Sequence, residues 1–355
     1  MKGLILSGGK GTRLRPLTHT SAKQLIPVAN KPILFYGLEA MREAGITRVG
    51  IIVADTKEEI ISHVGDGSAW GLEVTYIDQS EPLGLAHAVL TAEDYLKDDD
   101  LFVMYLGDNI IKEGFKSLVD EFLQNRPNAQ ILLAQVHDPE RFGVAELSNG
   151  RVVRLIEKPQ VPPSGLALVG VYMFDHNIFT AAKSIKPSAR GELEITDAIQ
   201  FLIDEGYVVD PHVINGWWKD TGKLEDLLEA NRILLDDLET RIDGSVDERS
   251  RIIGKVIVEK EATVVNSTIR GPAIIGEGSI IENAYVGPFT SVYYNSLISH
   301  SEIEHSMVLE NVKLCNIPVR IEDSLLGKNV EIIKSDAKPK AYRFMLGDNS
   351  MVGLV

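Results

Sequence analysis

The sequence predicts an α/β protein in two parts, a Rossmann-like doubly wound mixed sheet followed by a parallel β-helix. Three observations lead to this prediction. In the first 240 residues, short β-like runs alternate with amphipathic helical segments. The first β-like run leads into a glycine-rich loop with clustered cations. From about Val246 onwards an aliphatic residue recurs every six positions, a period too long for a helix.

Length and composition limit the possible classes. At 355 residues the chain is long for one core, and the change of pattern predicts two domains, residues 1–240 and 241–355. The net charge of −15 argues against nucleic acid or an anionic membrane as the main partner. The single cysteine, Cys315, cannot form an internal disulfide, and no apolar run approaches membrane-spanning length. We therefore expect a cytoplasmic protein.

Five apolar runs are typical of buried strands in a mostly parallel sheet. They are Leu4–Leu6, Val49–Val53, Val74–Ile77, Leu101–Leu106 and Gln130–Val136. Helical spacing of apolar residues is found in Ile33–Ala44, Lys57–Val64, Ala86–Leu96, Phe115–Asn125 and, closing the region, Glu225–Leu238. In such a sheet the ligand crevice lies at the carboxyl ends of the strands.

The loop after the first strand has the features of a polyphosphate site. Its glycines are Gly8, Gly9 and Gly11, and the nearby cations are Lys10, Arg13, Arg15 and Lys23. Glycines allow backbone N–H groups to approach phosphate oxygens, and the cations supply countercharge. A P-loop is excluded because Gly11 follows the lysine, and a dinucleotide fingerprint is excluded because Leu14 stands where the third glycine is required. An ordinary glycine-rich turn is the alternative.

Two aspartates are candidate metal ligands. Asp108 follows an apolar strand in Leu-Gly-Asp-Asn, and Asp220 lies in Trp-Trp-Lys-Asp-Thr-Gly. Carboxylate, water and phosphate oxygens are the ligands that Mg²⁺ prefers. The alternative is that each aspartate is a turn or cap residue. By contrast, the acidic run at residues 98–100 predicts a solvated turn.

Three further positions are candidate substrate contacts. Glu157-Lys158 follows the β-like run Val152–Ile156, with a surface ion pair as the alternative. Arg190 precedes a predicted helix start that extends to Asp197, and is either a phosphate contact or a structural residue. Gln79, at a turn with Gly84, has an amide able to form two hydrogen bonds with a base edge.

The C-terminal repeat predicts a β-helix whose interior is filled by stacked aliphatic side chains. The repeating positions are Val246, Ile252, Val258, Val264, then after a one-residue slip Ile269, Ile275, Ile281, and again Val286, Val292, Ile298. A strand-rich domain with accidental spacing is the alternative. The register degrades after Ile303, and we expect the tail from Lys334 to form a C-terminal cap.

The motifs together resemble a known family. G-G-x-G-T-R-L, S-A-K-Q-L-I-P-V, L-G-D-N, E-K-P, R-G-E-L-E-I-T-D and W-x-D-T-G occur in that order. Over about residues 1–235 they resemble the sugar-1-phosphate nucleotidylyltransferases, specifically the glucose-1-phosphate thymidylyltransferases. The repeat region is similar to the left-handed β-helix of long members of that superfamily. Phe142 departs from the tyrosine common in relatives, and Lys223 replaces a small polar residue.

The resemblance implies a role for each matched residue. The residues implied to bind the nucleotide are Leu6, Gly8, Gly9, Gly11, Thr12, Arg13, Gln79, Pro82 and Gly84. Of these, Gln79 and Gly84 are implied to select the thymine. The residues implied to bind the sugar phosphate are Lys23, Gly143, Glu157, Lys158, Val169 and Arg190. Asp108 and Asp220 are the implied Mg²⁺ ligands, and Arg13, Lys23 and Asp108 are the implied catalytic residues.

The implied reaction is attack of the glucose 1-phosphate oxygen on the α-phosphorus of dTTP, with release of pyrophosphate. The attacking oxygen is already anionic, so no general base is required. Alternatives are UTP or glucosamine 1-phosphate as substrates, an additional acyltransferase in the β-helix with His300 or His305 as base, and a non-catalytic nucleotide sensor. We expect a homo-oligomer, because flat stacked β-helix faces suit subunit packing.

Overall fold

The computed structural model describes residues 1–9, 11–19, 21–214, 216–334, 338 and 341–353. The chain divides into two compact units. Unit 1 comprises Met1–Lys10 and Ile33–Asp220, and unit 2 comprises Gly11–Pro32 and Thr221–Val355. A short N-terminal segment therefore belongs to the same unit as the C-terminal third of the chain. The domain boundary at residue 240 stays a prediction.

Strands and helices alternate along the first two thirds of the chain. The strands are β1 (Lys2–Leu6), β2 (Pro27–Val28), β3 (Lys31–Pro32), β4 (Arg48–Val53), β5 (Glu73–Asp78), β6 (Leu101–Leu106), β7 (Asn109–Ile111), β8 (Ala129–Gln135), β9 (Gly143–Ser148), β10 (Arg151–Glu157), β11 (Leu166–Asp175), β12 (Val209–Val213) and β13 (Trp218–Asp220). The helices are α1 (Ile33–Glu43), α2 (Lys57–Val64), α3 (Leu85–Thr91), α4 (Glu93–Leu96), α5 (Lys116–Asn125), α6 (Asn177–Ser184), α7 (Ile195–Asp204) and α8 (Leu224–Asp236).

Unit 1 is built on a nine-stranded mixed sheet. Its order is β10-β9-β11-β6-β1-β4-β5, with β8 paired to β11 and β12 paired to β8. Strands β1, β4, β5 and β6 are parallel, whereas β11 runs antiparallel to β6 and β8. The predicted Rossmann-like sheet is confirmed. Its core contains Phe102, Phe174 and Ile199, all fully buried.

Two predicted elements of unit 1 differ from the structure. Val74–Ile77 lies in β5 but is only half-buried, because β5 forms an edge of the sheet. The predicted helix Ala86–Leu96 is broken at Ala92, whose backbone (φ −90°, ψ 2°) separates α3 from α4.

The acidic run at residues 98–100 is not simply a solvated turn. The carboxylate of Asp99 is 9% exposed and forms ion pairs with the Met1 ammonium at 2.9 Å, with Lys2 Nζ at 3.2 Å and with Arg48 at 3.0 Å. Burial raises the pKa of Asp99, but the hydrogen bonds from these cations outweigh it and lower the pKa overall. Asp99 therefore fixes the start of β1.

The C-terminal part of unit 2 consists of three parallel sheets made of short strands. These strands are β14 (Arg241–Ile242), β15 (Ser245–Val246), β16 (Arg251–Ile253), β17 (Val256–Val258), β18 (Thr263–Val265), β19 (Thr268–Arg270), β20 (Ala273–Ile275), β21 (Ile280–Glu282), β22 (Tyr285–Val286), β23 (Thr290–Val292), β24 (Leu297–Ser299), β25 (Glu302–Ile303), β26 (Met307–Val308), β27 (Lys313–Cys315), β28 (Leu325–Leu326) and β29 (Glu331–Ile333). The arrangement is that of a left-handed parallel β-helix, and the predicted fold class is confirmed.

The one-residue slips in the repeat have a structural explanation. Thr263, Ile280 and Leu297 are successive partners in one sheet, so a coil takes 17 residues, made of two six-residue faces and one five-residue face. Stacking also continues past Ile303, where the sequence pattern weakens. Val308 pairs with Leu326, and Leu314 with Ile332.

The tail beyond the β-helix is the segment predicted to form a cap. Every described residue from 341 to 353 is exposed, including Phe344 and Met345. Within a single chain these residues do not bury their apolar side chains. None of the helices in the described part of the chain combines the length and hydropathy needed to span a bilayer.

Candidate active site

The loop after β1 and the turn after β6 leave the same edge of the sheet. The Ser7 N–H donates to the Ile52 carbonyl and the Gly107 N–H donates to the Leu6 carbonyl, both at 2.9 Å. The Ser7 hydroxyl is buried and has no hydrogen-bond partner in the described part of the chain. Sequence reasoning did not single out this serine. Lys10, one of the predicted cations, lies outside the described residues.

Gln79 lies beside Gly8 of the glycine loop. A Cβ on Gly8 would be 3.2 Å from Gln79 Oε1, so the absence of a side chain makes room for the amide. Gln79 is 7% exposed, and its Nε2 lies 3.0 Å from Nδ1 of His87 on α3. Sequence reasoning missed His87, which orients the Gln79 amide. Gly9, by contrast, is exposed.

Gly84 has a backbone conformation that requires glycine. Its φ of 106° and ψ of 173° are open to glycine alone, and a Cβ there would collide with the Leu193 carbonyl oxygen. Leu193 is hydrogen-bonded to the chain on both sides of Gly84. Its N–H donates to the Leu83 carbonyl, and its carbonyl accepts the Ala86 N–H. Pro82 is exposed on the preceding loop. These bonds connect the predicted base contact to the segment that carries Arg190.

The two candidate metal ligands lie at the ends of paired strands: Asp108 immediately precedes β7, and Asp220 is the last residue of β13. β13 pairs with β7 in a register that places Asp220 opposite Asn109, the residue after Asp108. Asn109 Nδ2 donates to Asp108 Oδ1 at 3.0 Å, and Trp218 Nε1 donates to Asn109 Oδ1 at 2.6 Å. Because Oδ1 of Asn109 is occupied by the indole, its NH₂ group is directed to Asp108. Asn109 and Trp218 were not predicted as site residues.

This donor set fits a cation that takes most of its ligands from substrate and water. No cluster of three or more His, Cys, Asp or Glu side chains suitable for a metal occurs among the described residues. A closed protein cage of such side chains is therefore absent from that part of the chain. A pair of carboxylates leaves coordination positions for phosphate and water oxygens, the pattern in which Mg²⁺ is usually bound.

The residues predicted to bind the sugar phosphate form a second cluster in unit 1. Gly143 pairs with Glu157 across β9 and β10, and a Cβ on Gly143 would be 3.2 Å from Glu157 Oε2. Glu157 also accepts a hydrogen bond from Thr196 at 3.3 Å. Arg190 donates to Glu157 Oε1 at 3.1 Å and to both carboxylate oxygens of Glu194 at 2.9 Å.

These charges line an open cavity of about 930 Å³ that includes Glu157, Lys158 and Arg190. Burial raises the pKa of Glu157; Lys158 and Arg190 lower it and Glu194 raises it, and the net shift is upward. A partly buried carboxylate is a suitable acceptor for sugar hydroxyls. The guanidinium of Arg190 is held by carboxylates, so a bound phosphate would share or replace these partners.

Val169 lies between two residues that each pack against one of the clusters, Leu168 near Gly143 and Gly170 near Asn109. It is fully buried in β11, at the irregularity in the pairing with β8 between Leu168 and Tyr172. The next residue, Gly170, faces Asn109, where a Cβ would be 2.6 Å from the amide carbon. The ring of Phe142 contacts Trp218 edge-on, with centroids 5.4 Å apart. This ring carries no hydroxyl group, and it packs against the indole instead.

Four predicted phosphate contacts belong to unit 2. Gly11 has φ 62°, and a Cβ there would be 3.0 Å from Lys23 Cβ. The Thr18 hydroxyl donates to the Gly11 carbonyl at 2.7 Å. Thr12 and Arg13 lie on a short 3₁₀ segment, Thr12–Leu14, and both are exposed. Unit 2 therefore brings Gly11 and Lys23 into direct proximity.

The two histidines proposed as an acyltransferase base each contact a neighbouring side chain of the β-helix. The rings of His305 and Phe289 are tilted against each other, with centroids 5.4 Å apart. His300 Nδ1 lies 2.9 Å from the Ser299 hydroxyl, which itself donates to Glu282. Both histidines have φ 48°, which places them at corners of the β-helix. Lys223, whose role was open, precedes α8, and its carbonyl accepts the Leu227 N–H.

Comparison with known proteins gives consistent results. Residues 2–237 match the nucleotidyl transferase family. The chain is 58% identical over 354 residues to a glucose-1-phosphate thymidylyltransferase of Streptomyces antibioticus, with 99% of each chain covered. It is 38% identical to the bifunctional protein GlmU of Methanocaldococcus jannaschii, covering 93% of this chain and 78% of that protein. A Bacillus anthracis crystal structure described as a glucose-1-phosphate thymidylyltransferase, in complex with a sucrose, aligns with a TM-score of 0.63 and 38% identity, covering 68% of this chain and 97% of that one.

Proposed function

We propose that this chain, which belongs to the nucleotidyl transferase family, is a glucose-1-phosphate thymidylyltransferase that makes dTDP-glucose and pyrophosphate from dTTP and glucose 1-phosphate. The full-length similarity to the Streptomyces antibioticus enzyme supports this substrate pair. The product is the usual start of dTDP-deoxysugar synthesis of the rhamnose type.

The observation that carries the proposal is the pairing of β7 with β13. It brings Asp220 opposite Asn109, the residue that follows Asp108, at the edge of the sheet where the loop after β1 begins. Nucleotidyl transfer needs negative charge to be neutralised around a phosphorus atom that is attacked by an oxyanion. We propose that Asp108 and Asp220 hold Mg²⁺, which when bound neutralises charge on the phosphates.

The remaining roles belong to side chains of the protein. Arg13 stabilises the pyrophosphate leaving group, and Lys23 holds the α-phosphate and the sugar phosphate. Gln79, with its amide fixed by His87, forms hydrogen bonds with the thymine. Glu157 accepts hydrogen bonds from sugar hydroxyls, and Arg190 contacts the sugar phosphate. Catalysis then depends on alignment and charge neutralisation, without a general base.

We also propose a cellular location and an oligomeric state for the enzyme. The substrates are phosphorylated metabolites, and the one cysteine, Cys315, is unpaired; we propose a cytoplasmic enzyme. We also propose a homo-oligomer assembled through faces of the β-helix. Apolar side chains exposed on unit 2, among them Ile280 at 44%, support such an assembly.

The test is a substrate panel. The purified chain with Mg²⁺ is supplied with dTTP, UTP or dCTP and with glucose 1-phosphate or glucosamine 1-phosphate, and pyrophosphate release is measured. The highest kcat/KM is expected for dTTP with glucose 1-phosphate. A clear preference for UTP or for the amino sugar would replace the proposed substrates, and an inactive chain that binds dTTP would indicate a sensor. Release of thiol from acetyl-CoA would reveal acyl transfer.

A further inference from the structure

We infer that the β-helix is a positioning element for the phosphate-binding segment of unit 2, and that Asn30 and Asn231 are the residues through which it acts. The inference rests on the proposed function, because it takes Gly11 and Lys23 as substrate contacts. All these residues belong to unit 2, which contains Gly11–Pro32 together with the β-helix.

The hairpin of β2 and β3 is strained. These strands pair as antiparallel two-residue strands joined by Ala29 and Asn30. Both joining residues have positive φ, 49° for Ala29 and 59° for Asn30, as in a type I′ turn. Asparagine adopts this conformation readily, whereas for alanine it costs roughly 1–2 kcal/mol. The turn therefore needs contacts from outside itself.

Asn231 on α8 supplies one of these contacts. Its Oδ1 accepts the backbone N–H of Ala29 at 2.8 Å, and its Nδ2 donates to the Phe289 carbonyl at 3.3 Å. The side chain is 1% exposed. These two bonds connect the strained turn to a corner of the β-helix through one buried amide. Loss of either bond would leave a buried polar group unpaired, which is costly.

Asn30 makes a direct connection to the same coil. Its Nδ2 donates to the carbonyl of Val292 in β23 at 2.8 Å. Phe289 and Val292 belong to one coil. The turn is therefore connected to that coil at two points three residues apart, directly through Asn30 and indirectly through Asn231. Further along the segment, Leu17 packs against Gly327, where a Cβ would be 3.2 Å from Leu17 Cδ2.

The segment that this coil holds leads directly to the predicted phosphate contacts. Val28, Ile26 and Leu25 are buried, and Leu25 ends the 3₁₀ segment Lys23–Leu25 that Lys23 begins. Lys23 in turn packs against Gly11. The path from Val292 to Lys23 thus runs through a hydrogen-bonded turn and a buried strand, with no long flexible loop between them.

The test removes one bond without disturbing the turn. Asn30→Gly keeps a residue that tolerates positive φ but deletes the side-chain donor to Val292. Asn149→Gly is the matched control, because Asn149 also has positive φ (53°) in a two-residue hairpin turn and is exposed. We expect Asn30→Gly to raise KM for dTTP and lower kcat, with kcat/KM reduced about three- to tenfold relative to the control, the effect of one lost hydrogen bond. Kinetics are measured well below the unfolding temperature of each variant.

Hydrogen exchange supplies a readout that is independent of catalysis. With dTTP alone as the probe, exchange at residues 286–292 should slow in the unmodified chain and slow less in Asn30→Gly. Asn231→Ala should show the same loss of response, provided that it folds.

The outcomes separate the inference from the proposed function. If Asn30→Gly matches Asn149→Gly in kcat, in KM and in the exchange response, the β-helix does not position the segment, even when its unfolding temperature falls. If the unmodified chain makes no dTDP-glucose, the proposed function fails, whatever the exchange data show. An active unmodified chain with a selectively impaired Asn30→Gly supports both.

Discussion

The indole of Trp218 fixes the amide of Asn109. Trp218 Nε1 donates to Asn109 Oδ1 at 2.6 Å, and the amide NH₂ is thereby turned towards Asp108. Through this chain of hydrogen bonds, Trp218 acts as a positioning residue for Asp108, a proposed metal ligand. The tryptophan two positions before Asp220 therefore contributes a hydrogen bond as well as packing.

Trp218→Phe tests this relationship. The variant keeps an aromatic ring against Phe142 but loses the donor, so the Asn109 amide is free to rotate and Asp108 loses its fixed orientation. We expect kcat to fall about tenfold and the Mg²⁺ concentration for half-maximal activity to rise. Trp70→Phe, in an edge-on ring contact with Phe35, is the control. An unchanged Mg²⁺ dependence in Trp218→Phe would contradict the positioning role.

Asp108→Asn tests the proposed metal site itself. The substituted amide retains an oxygen for the Asn109 NH₂ group but lacks the charge that attracts a divalent cation. We expect kcat to fall by about a hundredfold or more, with an unfolding temperature close to that of the unmodified chain. Asp100→Asn, at an exposed position, is the control. Turnover near the normal value with Mg²⁺ and dTTP would show that Asp108 is not a metal ligand.

Glu157→Gln should separate activity from stability. Because burial raises the pKa of Glu157, the folded protein binds a proton more tightly than the unfolded chain. The native carboxyl group therefore favours folding at low pH, and its contribution declines as the pH rises from the unfolded value of about 4.3 through the raised folded value. The variant should be less active but more stable at pH 7, and the stability gain should shrink below pH 4. Thermal unfolding from about pH 3 to pH 8 measures this; a stability gain that is independent of pH would refute it.

Gly84→Ala should be more damaging than other glycine substitutions. The alanine would need φ near 106° and would place its Cβ against the Leu193 backbone, so we expect a loss of more than about 2 kcal/mol of unfolding free energy or a displaced base site. Gly206→Ala, at φ 82° with no atom within 4 Å of a Cβ, should cost only about 1 kcal/mol. Urea unfolding and KM for dTTP distinguish the two. Equal costs would mean that the Leu193 contact is unimportant.

Much of the fold could be predicted because it depends on local patterns. The buried strands β1, β4 and β6 appear in the sequence as apolar runs, and the predicted limits of helix α2 match the observed ones. The β-helix is evident from its aliphatic period, including the slips that a 17-residue coil requires. The edge position of β5 is not evident, because an apolar run does not show whether a strand has neighbours on both sides.

The sequence allowed candidate site residues to be named, but it did not reveal the hydrogen bonds between their side chains. Strand ends and motifs point to Asp108, Asp220 and Gln79. The W-x-D-T-G motif includes Trp218 without indicating its role, and no motif includes His87. The role of each residue depends on a hydrogen bond to another side chain, which no local pattern reveals. The assignment of Gly11–Pro32 to unit 2 is likewise hidden, since it depends on contacts such as Asn30 with Val292, far apart in sequence.

The order of synthesis gives these contacts a further consequence. Residues 11–32 leave the ribosome early, but the carbonyl groups that hold their hairpin, on Phe289 and Val292, are made about 260 residues later. At roughly 5–20 residues per second this delay is about 13 to 52 s. A nascent chain can thus complete the sheet of unit 1 while its phosphate-binding segment still lacks these bonds. Synthesis of the β-helix coil that carries these carbonyl groups, rather than completion of the first 240 residues, then sets the moment at which the segment acquires its bonds.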